Sequence, residues 1–353
     1  MLIAGFEGPT VPVELRALAR EFGLGGVILF SRNVEEPGQV AELCHEAAGL
    51  DGEWPTWVSV DQEGGRVARL KAPFTEWPPM AALGRSGDAA LAKRFGRALA
   101  AELAAVGITL DFAPVLDVHT NARNEVIGDR ALSEHADEVA RLGTEIVRAL
   151  QDAGVAACGK HFPGHGDTSV DSHVELPIVE HPAERLRAIE FVPFRAAIAA
   201  GVSAIMTAHV LLPAIDEQEP ATLSRAVVTG FLRGELGFDG LIVGDDLEMK
   251  AVTGRHAVPA AGVLAAAAGC DVVLICSGDQ ETQAATLEAL IHAVEDGRLS
   301  RAGIEDSLKR QRRAKERYLT SRVPRRPAAA RTLREALEGG RHQAIAAEMA
   351  RFV

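Results

Sequence analysis

The chain has 353 residues, 47% of them apolar, and its 37 basic against 49 acidic side chains give a formal charge of −12. That length permits two ordinary domains or one large α/β barrel with added helices, and the acidic balance disfavours binding to nucleic-acid phosphates. No uninterrupted apolar run reaches 18 residues, because the most apolar stretch, Val263 to Cys276, is broken by Gly269 and Asp271, so no membrane span is expected.

Short runs rich in Val and Ile, mostly ending in polar residues, predict eight strands: Leu2 to Phe6, Gly25 to Phe30, Trp57 to Asp61, Thr109 to Phe112, Ala156 to Lys160, Ala204 to His209, Gly240 to Asp245 and Asp271 to Cys276. Between them lie helix-period stretches such as Ala89 to Val106, Glu134 to Ala153, Pro182 to Ala200 and Arg225 to Leu236. Eight alternations without a composition break favour a (β/α)₈ TIM barrel over an open doubly wound sheet, which remains the alternative. Two more helices, Glu281 to Asp296 and Ser300 to Arg317, follow the last strand, the second with Ser300 as N-cap. A basic connector, Ser321 to Arg331, leads to a final helix, Thr332 to Met349. The expected organisation is a barrel over residues 1–320 and a linker and helix over 321–353 packed on it.

The N-terminus lacks a basic lead and a long apolar run, so no secretory signal is expected and the location follows as cytoplasmic. Cys44, Cys158, Cys270 and Cys276 have neither zinc-ligand nor disulfide-framework spacing and read as reduced, mostly buried residues.

In a barrel of this type, reactive groups stand at the C-terminal ends of the strands. Five predicted strands deliver polar groups there: Asp61, Asp111 leading on to Asp117, Lys160 with His161, His209, and Asp245 with Asp246. A single aspartate at a strand end is usually a turn or cap residue, but five such strands point to a site. Adjacent Asp245 and Asp246 should face opposite sides of an extended backbone, so one is a nucleophile candidate and the other a structural acceptor. Periodicity does not say which. The segment Asp61-Gln62-Glu63-Gly64-Gly65-Arg66-Val67-Ala68-Arg69 lacks phosphate-loop glycine spacing; its carboxylates and arginines suit a polyol substrate. Arg130, after the fourth strand, reads equally well as a ligand-binding arginine or a surface ion pair.

The densest chemistry lies between Lys160 and His173. Pro163, Gly164 and Gly166 rule out a continuous helix, so His161 and His165 are not an i,i+4 metal pair, and the segment reads as a loop after a strand. Asp171, two residues before His173, can orient its imidazole and favour the protonated form.

The motifs Lys160-His161-Phe162-Pro163-Gly164-His165-Gly166, Asp171-Ser172-His173, Asp61-Gln62-Glu63-Gly64-Gly65-Arg66 and Asp245-Asp246-Leu247-Glu248-Met249 together resemble the glycoside hydrolase family 3 β-N-acetylglucosaminidases (β-hexosaminidases), most nearly the single-domain bacterial enzymes of peptidoglycan recycling. The likeness runs from about Gly5 to about Cys276. The resemblance implies Asp245 as nucleophile, His173 as general acid/base and Asp171 as its partner. It also implies that Asp61, Arg69, Arg130, Lys160 and His161 hold the non-reducing N-acetylglucosamine. Two departures stand out: Gly244 replaces the usual Ser or Thr before the nucleophile, and Glu125 stands where many relatives have proline.

A retaining mechanism then follows, with attack by Asp245 and proton transfer by His173, and a neutral base would leave anionic muramyl aglycones unrepelled. The loop from Pro163 to Leu176 is expected to close over bound ligand. With 12 Phe, 3 Trp and 1 Tyr, the chain lacks the aromatic content of a long-polysaccharide platform, so a short glycan or muropeptide is the expected partner. No cofactor and no metal is expected, and a monomer is. The competing readings are a phosphorylase of the same family, a metal-dependent hydrolase using the loop histidines, and a noncatalytic sugar-binding barrel.

Overall fold

Alternating β-branched and helix-period stretches resolve, in the computed structural model, into a closed parallel barrel. The structure describes residues 1–50, 54–168, 172, 175–319, 327–337 and 340–353. Among them, eight strands form the barrel: β1 (Leu2–Ala4), β2 (Gly26–Leu29), β3 (Trp57–Val60), β4 (Leu110–Asp111), β5 (Ala156–Phe162), β6 (Ala204–Thr207), β7 (Leu241–Asp246) and β8 (Val272–Ile275). Each pairs in parallel with its neighbours in sequence, and β8 closes on β1 with Leu2 opposite Val273. Every predicted strand is present, and the doubly wound alternative is excluded by the β8–β1 pairing. At least one helix follows each strand, so the fold is a (β/α)₈ barrel.

Strand period two divides the core. Ile3, Ile28, Trp57, Leu110, Cys158, Met206, Val243 and Leu274, one from each strand, form a single buried cluster inside the barrel. Tyr318 and Leu319 belong to the same cluster, and the Trp57 and Tyr318 rings lie 6.2 Å apart. The residues of opposite phase, such as Val27, Val58, Ala157, Ile242 and Val273, pack with the surrounding helices.

Several helices differ from expectation for local reasons. The Pro182–Ala200 stretch divides into Ala183–Ala188 and Phe191–Ala199, because Pro193 has no N–H to offer the Ile189 carbonyl and its ring would collide with it. Ala226–Glu235 is wound as a π-helix, with Leu236 N–H reaching Phe231 O at 2.8 Å; Gly230 and Gly234 weaken the α preference there. The tail forms two helices, Ala330–Leu337 and Arg341–Met349, the second preceded by Gly340 in the left-handed region at φ 66°. They pack on Ala89–Ala105 through buried Leu333, Leu337 and Met349 and a bidentate Arg94–Glu348 pair at 2.8 and 2.7 Å. Ser300 caps Arg301–Tyr318 as expected, accepting from Gly303 N–H at 3.0 Å.

The four cysteines carry free thiols, three buried and Cys276 partly exposed. Among the described residues no helix is long and apolar enough to cross a membrane.

Candidate active site

The lumen-facing phase, carried to the C-terminal ends of the strands, selects the residues of one cleft. Leu241, Val243 and Asp245 share a side of β7; Trp57 and Ser59 lead to Asp61, Ala156 and Cys158 to Lys160, Val272 and Leu274 to Cys276. Asp61, Lys160, Asp245 and Cys276 all line a cleft of about 430 Å³, together with Glu63, Arg69, Arg130, His161, Ser172 and Asp246.

The segment after β3 folds back as a hairpin, Gln62–Gly64 against Val67–Ala68, and each residue has a separate task. Gly64 and Gly65 make the turn with φ of 107° and 55°, a region costly for other residues. Gln62 Oε1 accepts the N–H groups of Arg69 and Leu70 at 2.8 and 3.0 Å, fixing the returning strand beside the cleft. Arg69 Nη2 then lies 3.5 Å from Asp61 Oδ2. Arg66 instead turns away, donating to the carbonyls of Glu125 and Val126 at 2.7 and 2.6 Å and pairing with Asp129. It braces the loop that carries Arg130.

Glu63 is the buried centre of the cluster. Its carboxylate receives Arg130 bidentately, at 2.9 and 2.8 Å, and Lys160 Nζ at 2.6 Å. Lys160 also reaches Asp61 Oδ1 at 2.7 Å. Burial pushes the Glu63 carboxyl up, but Lys160 and Arg130 outweigh it and hold it well below the usual range. Burial alone would lower the Lys160 ammonium, yet Asp61 and Glu63 raise it, so it stays charged. Two cations and two carboxylates are thereby fixed as oriented donors and acceptors at the cleft wall.

Asp117, beyond β4, orients the next group. Wholly buried, it accepts His161 Nδ1 at 2.7 Å and the backbone N–H of His165 at 2.6 Å. His161 Nε2 is thus directed toward the cleft, 3.4 Å from Arg130 Nη2. The rings of His161 and His165 stand edge to face at 5.9 Å, and the Lys160–His161 and Phe162–Pro163 peptide bonds are cis. Burial and the His161 charge push His165 down to about 4, so it is neutral. It accepts the Thr168 hydroxyl through Nδ1 at 2.8 Å and lies 3.4 Å from Ser172 Oγ through Nε2.

On β7 the two aspartates diverge. Burial raises Asp245, but the fields of His209 and His161 and the Asp246 N–H, 2.8 Å from its Oδ1, bring it below the ordinary value, leaving an ionised carboxylate. Asp246 is raised to about 7 by burial and by the adjacent Glu248 and Asp245 charges. Its Oδ1 accepts the N–H groups of Glu248 and Cys276 at 3.2 and 3.3 Å, the structural role expected of one member of the pair, although it too lines the cleft. His209 Nε2 donates to Asp246 O at 2.8 Å. Gly244 points out of the lumen, where an added Cβ would stand 3.2 Å from Thr222 Cγ2. Among the described residues no three His, Cys, Asp or Glu side chains are grouped to hold a metal.

An ionised carboxylate facing a fixed cluster of hydrogen-bonding charges, at the C-terminal mouth of a (β/α)₈ barrel, is an arrangement for holding a polyol beside a nucleophile. The profile described as "Glycosyl hydrolase family 3 N terminal domain" matches residues 10–314. This chain belongs to glycosyl hydrolase family 3. It is 43% identical over 260 residues to a β-hexosaminidase of Thiobacillus denitrificans, covering 72% of each chain. A β-hexosaminidase of Pseudomonas aeruginosa is 41% identical over 293 residues, covering 82% of this chain and 86% of the relative. Among solved structures, a glycoside hydrolase family 3 β-N-acetylglucosaminidase from Paenibacillus sp. str. FPU-7 superposes with a TM-score of 0.92 at 43% identity, covering 99% of this chain and 67% of that one. NagZ from Neisseria gonorrhoeae gives 0.79 at 31% identity, covering 99% and 97%. The chain is accordingly a glycoside hydrolase of the β-N-acetylhexosaminidase class.

In this family 3 glycosidase, six of the eight residues singled out from the sequence, Asp61, Arg69, Arg130, Lys160, His161 and Asp245, stand around one cleft. Asp171 and His173 lie outside the described residues, as do residues 169, 170 and 174 of the segment expected to close over ligand. Arg130 is not a surface ion pair, since its guanidinium is 12% exposed and its partner Glu63 1%. Asp111 does not reach the mouth: it is buried in the opposite phase, raised well above the usual range by burial, and accepts Gln62 N–H at 3.0 Å. Glu63 was missed as a site residue, although its two-residue spacing from Asp61 would have placed it on the same side of an extended chain.

Proposed function

We propose that the chain is a retaining exo-β-N-acetylglucosaminidase that removes terminal non-reducing N-acetylglucosamine from peptidoglycan-derived muropeptides or short glycans. Asp245 attacks the anomeric carbon to give a glycosyl-aspartate; His173, with Asp171 stabilising its cation, protonates the departing oxygen and then activates water. Asp61, Arg69, Arg130, Lys160 and His161 grip the hydroxyls of the sugar.

One observation carries this reading: Asp245, kept ionised, shares a single cleft with the Asp61–Lys160–Glu63–Arg130 cluster, so nucleophile and sugar grip can act on one ring. Ser172, between the two proposed dyad members in sequence, lines the same cleft, and its carbonyl accepts Ala251 N–H at 3.1 Å, just beyond the nucleophile strand. NagZ of Neisseria gonorrhoeae has been solved with N-trifluoroacetyl-D-glucosamine, in keeping with a 2-acylamino sugar as the substrate class. On the same reading residues 1–320 are the catalytic barrel and 321–353 a linker and helical cover, and the enzyme works in the cytoplasm as a monomer without cofactor or metal.

The test is a matched set of aryl β-glycosides with 2-acetamido or 2-hydroxyl groups, and a GlcNAc–anhydromuramyl disaccharide, each with and without phosphate. Release of free N-acetylglucosamine with net retention, independent of phosphate, is expected. A product appearing as the 1-phosphate would overturn hydrolysis in favour of phosphorolysis, and preference for the 2-hydroxyl glycoside would overturn the substrate class.

A further inference from the structure

Asp167 and His181, fourteen positions apart, are joined side chain to side chain outside the sugar-binding cluster. Asp167 Oδ2 meets His181 Nε2, while its Oδ1 accepts the Thr120 hydroxyl at 2.8 Å. The backbone beside Asp167 is held as well: Asn121 Nδ2 donates to the carbonyls of Asp167 and Thr168 at 3.3 and 3.1 Å. On the His181 side, Val179 N–H bonds Leu211 O at 2.9 Å and Leu211 N–H bonds Pro177 O at 2.8 Å, tying this end to the segment after β6. The pair therefore closes the base of the segment that contains Ser172. Closing a loop of this length by a side-chain pair removes chain freedom that would otherwise be lost when a group within it is brought to its working position.

We propose that Asp167 and His181 are positioning residues for the proton-transfer step, forming a clasp that sets where the intervening segment delivers its acid. The proposal rests on the reading of His173 as general acid/base. Neither clasp residue touches substrate. Their effect is on the alignment of another group, and a misplacement of about an ångström costs on the order of 10²-fold in rate. The clasp should matter most when the leaving group needs a proton and least when it departs without one.

The experiment compares His181→Ala and Asp167→Asn with the parent enzyme on a GlcNAc disaccharide and on an activated dinitrophenyl β-N-acetylglucosaminide. Expected is a loss of about 10- to 100-fold in kcat on the disaccharide and under about threefold on the aryl glycoside, with KM for either little changed. His181→Gln, which keeps an N–H donor toward Asp167, should recover most of the activity. In a His173→Ala background, His181→Ala should add no further loss. Equal losses on both substrates in His181→Ala, or additive losses in the double variant, would overturn the clasp while leaving the acid intact. Equal losses on both substrates in His173→Ala itself would remove the acid assignment, and this role with it.

Discussion

Glu63 and Lys160 meet at 2.6 Å with their side chains 1% and 2% exposed, and Arg130 shares the same carboxylate. A buried charge stripped of its partner is costly, so Glu63→Ala should destabilise the enzyme by about 3–5 kcal/mol, as measured by urea unfolding. Glu63 is depressed, so its contribution is fully present above the unfolded carboxyl value of about 4.3 and is lost as pH falls below it. The difference between parent and variant should therefore shrink in acid. A difference under about 1 kcal/mol at neutral pH would show that the cluster only breaks even.

Asp245→Asn should lower kcat by a factor on the order of 10⁴ or more, because the amide cannot form the proposed glycosyl-aspartate. A 5-fluoro-N-acetylglucosaminyl fluoride should label the parent at a peptide containing Asp245. Labelling at Asp246 instead would reassign the nucleophile.

Asp246, raised to about 7, predicts a pH effect of opposite sign to that of Glu63. Between an unfolded value of about 3.9 and pH 7 the folded state keeps a proton that the unfolded chain has released, so stability falls as pH rises through this window. Asp246→Asn should remove that slope, which is at most ~1.4 kcal/mol per pH unit, and gain on the parent between pH 4 and 7. Asp111, raised by burial, adds a slope of the same sign that the variant leaves in place, so the difference between the two curves is what is read. Parallel curves would mean that Asp246 ionises normally.

Gly166 tests the loop histidines indirectly. A Cβ there would fall 1.9 Å from Val118 O, and Val118 follows the Asp117 that holds both His161 and His165. Gly166→Ala should cost about 1–3 kcal/mol of stability and lower kcat/KM, through displacement of His161. Normal kinetics in a variant of lowered stability would separate the packing role of this glycine from the site.

Sequence periodicity determined the eight strands, their order of appearance and the rim at which polar groups collect, because each strand is a local apolar run and the barrel rule places chemistry at its end. The Lys160–His173 segment, together with the Asp61–Arg66 and Asp245–Met249 motifs, supplied the family resemblance by residue identity alone. Periodicity could not choose between Asp245 and Asp246; only the resemblance pointed to Asp245. A strand of a parallel barrel is apolar on both faces, so the phase that faces the lumen is not written in its own alternation. Only barrel closure put Asp245 in the lumen series with Leu241 and Val243, buried Asp111 in the other, and drew Glu63, Lys160 and Arg130 from separate strand ends into one ion cluster. Partner choice among many carboxylates is decided by distances that exist once the chain has closed into a ring, and local pattern carries no record of them.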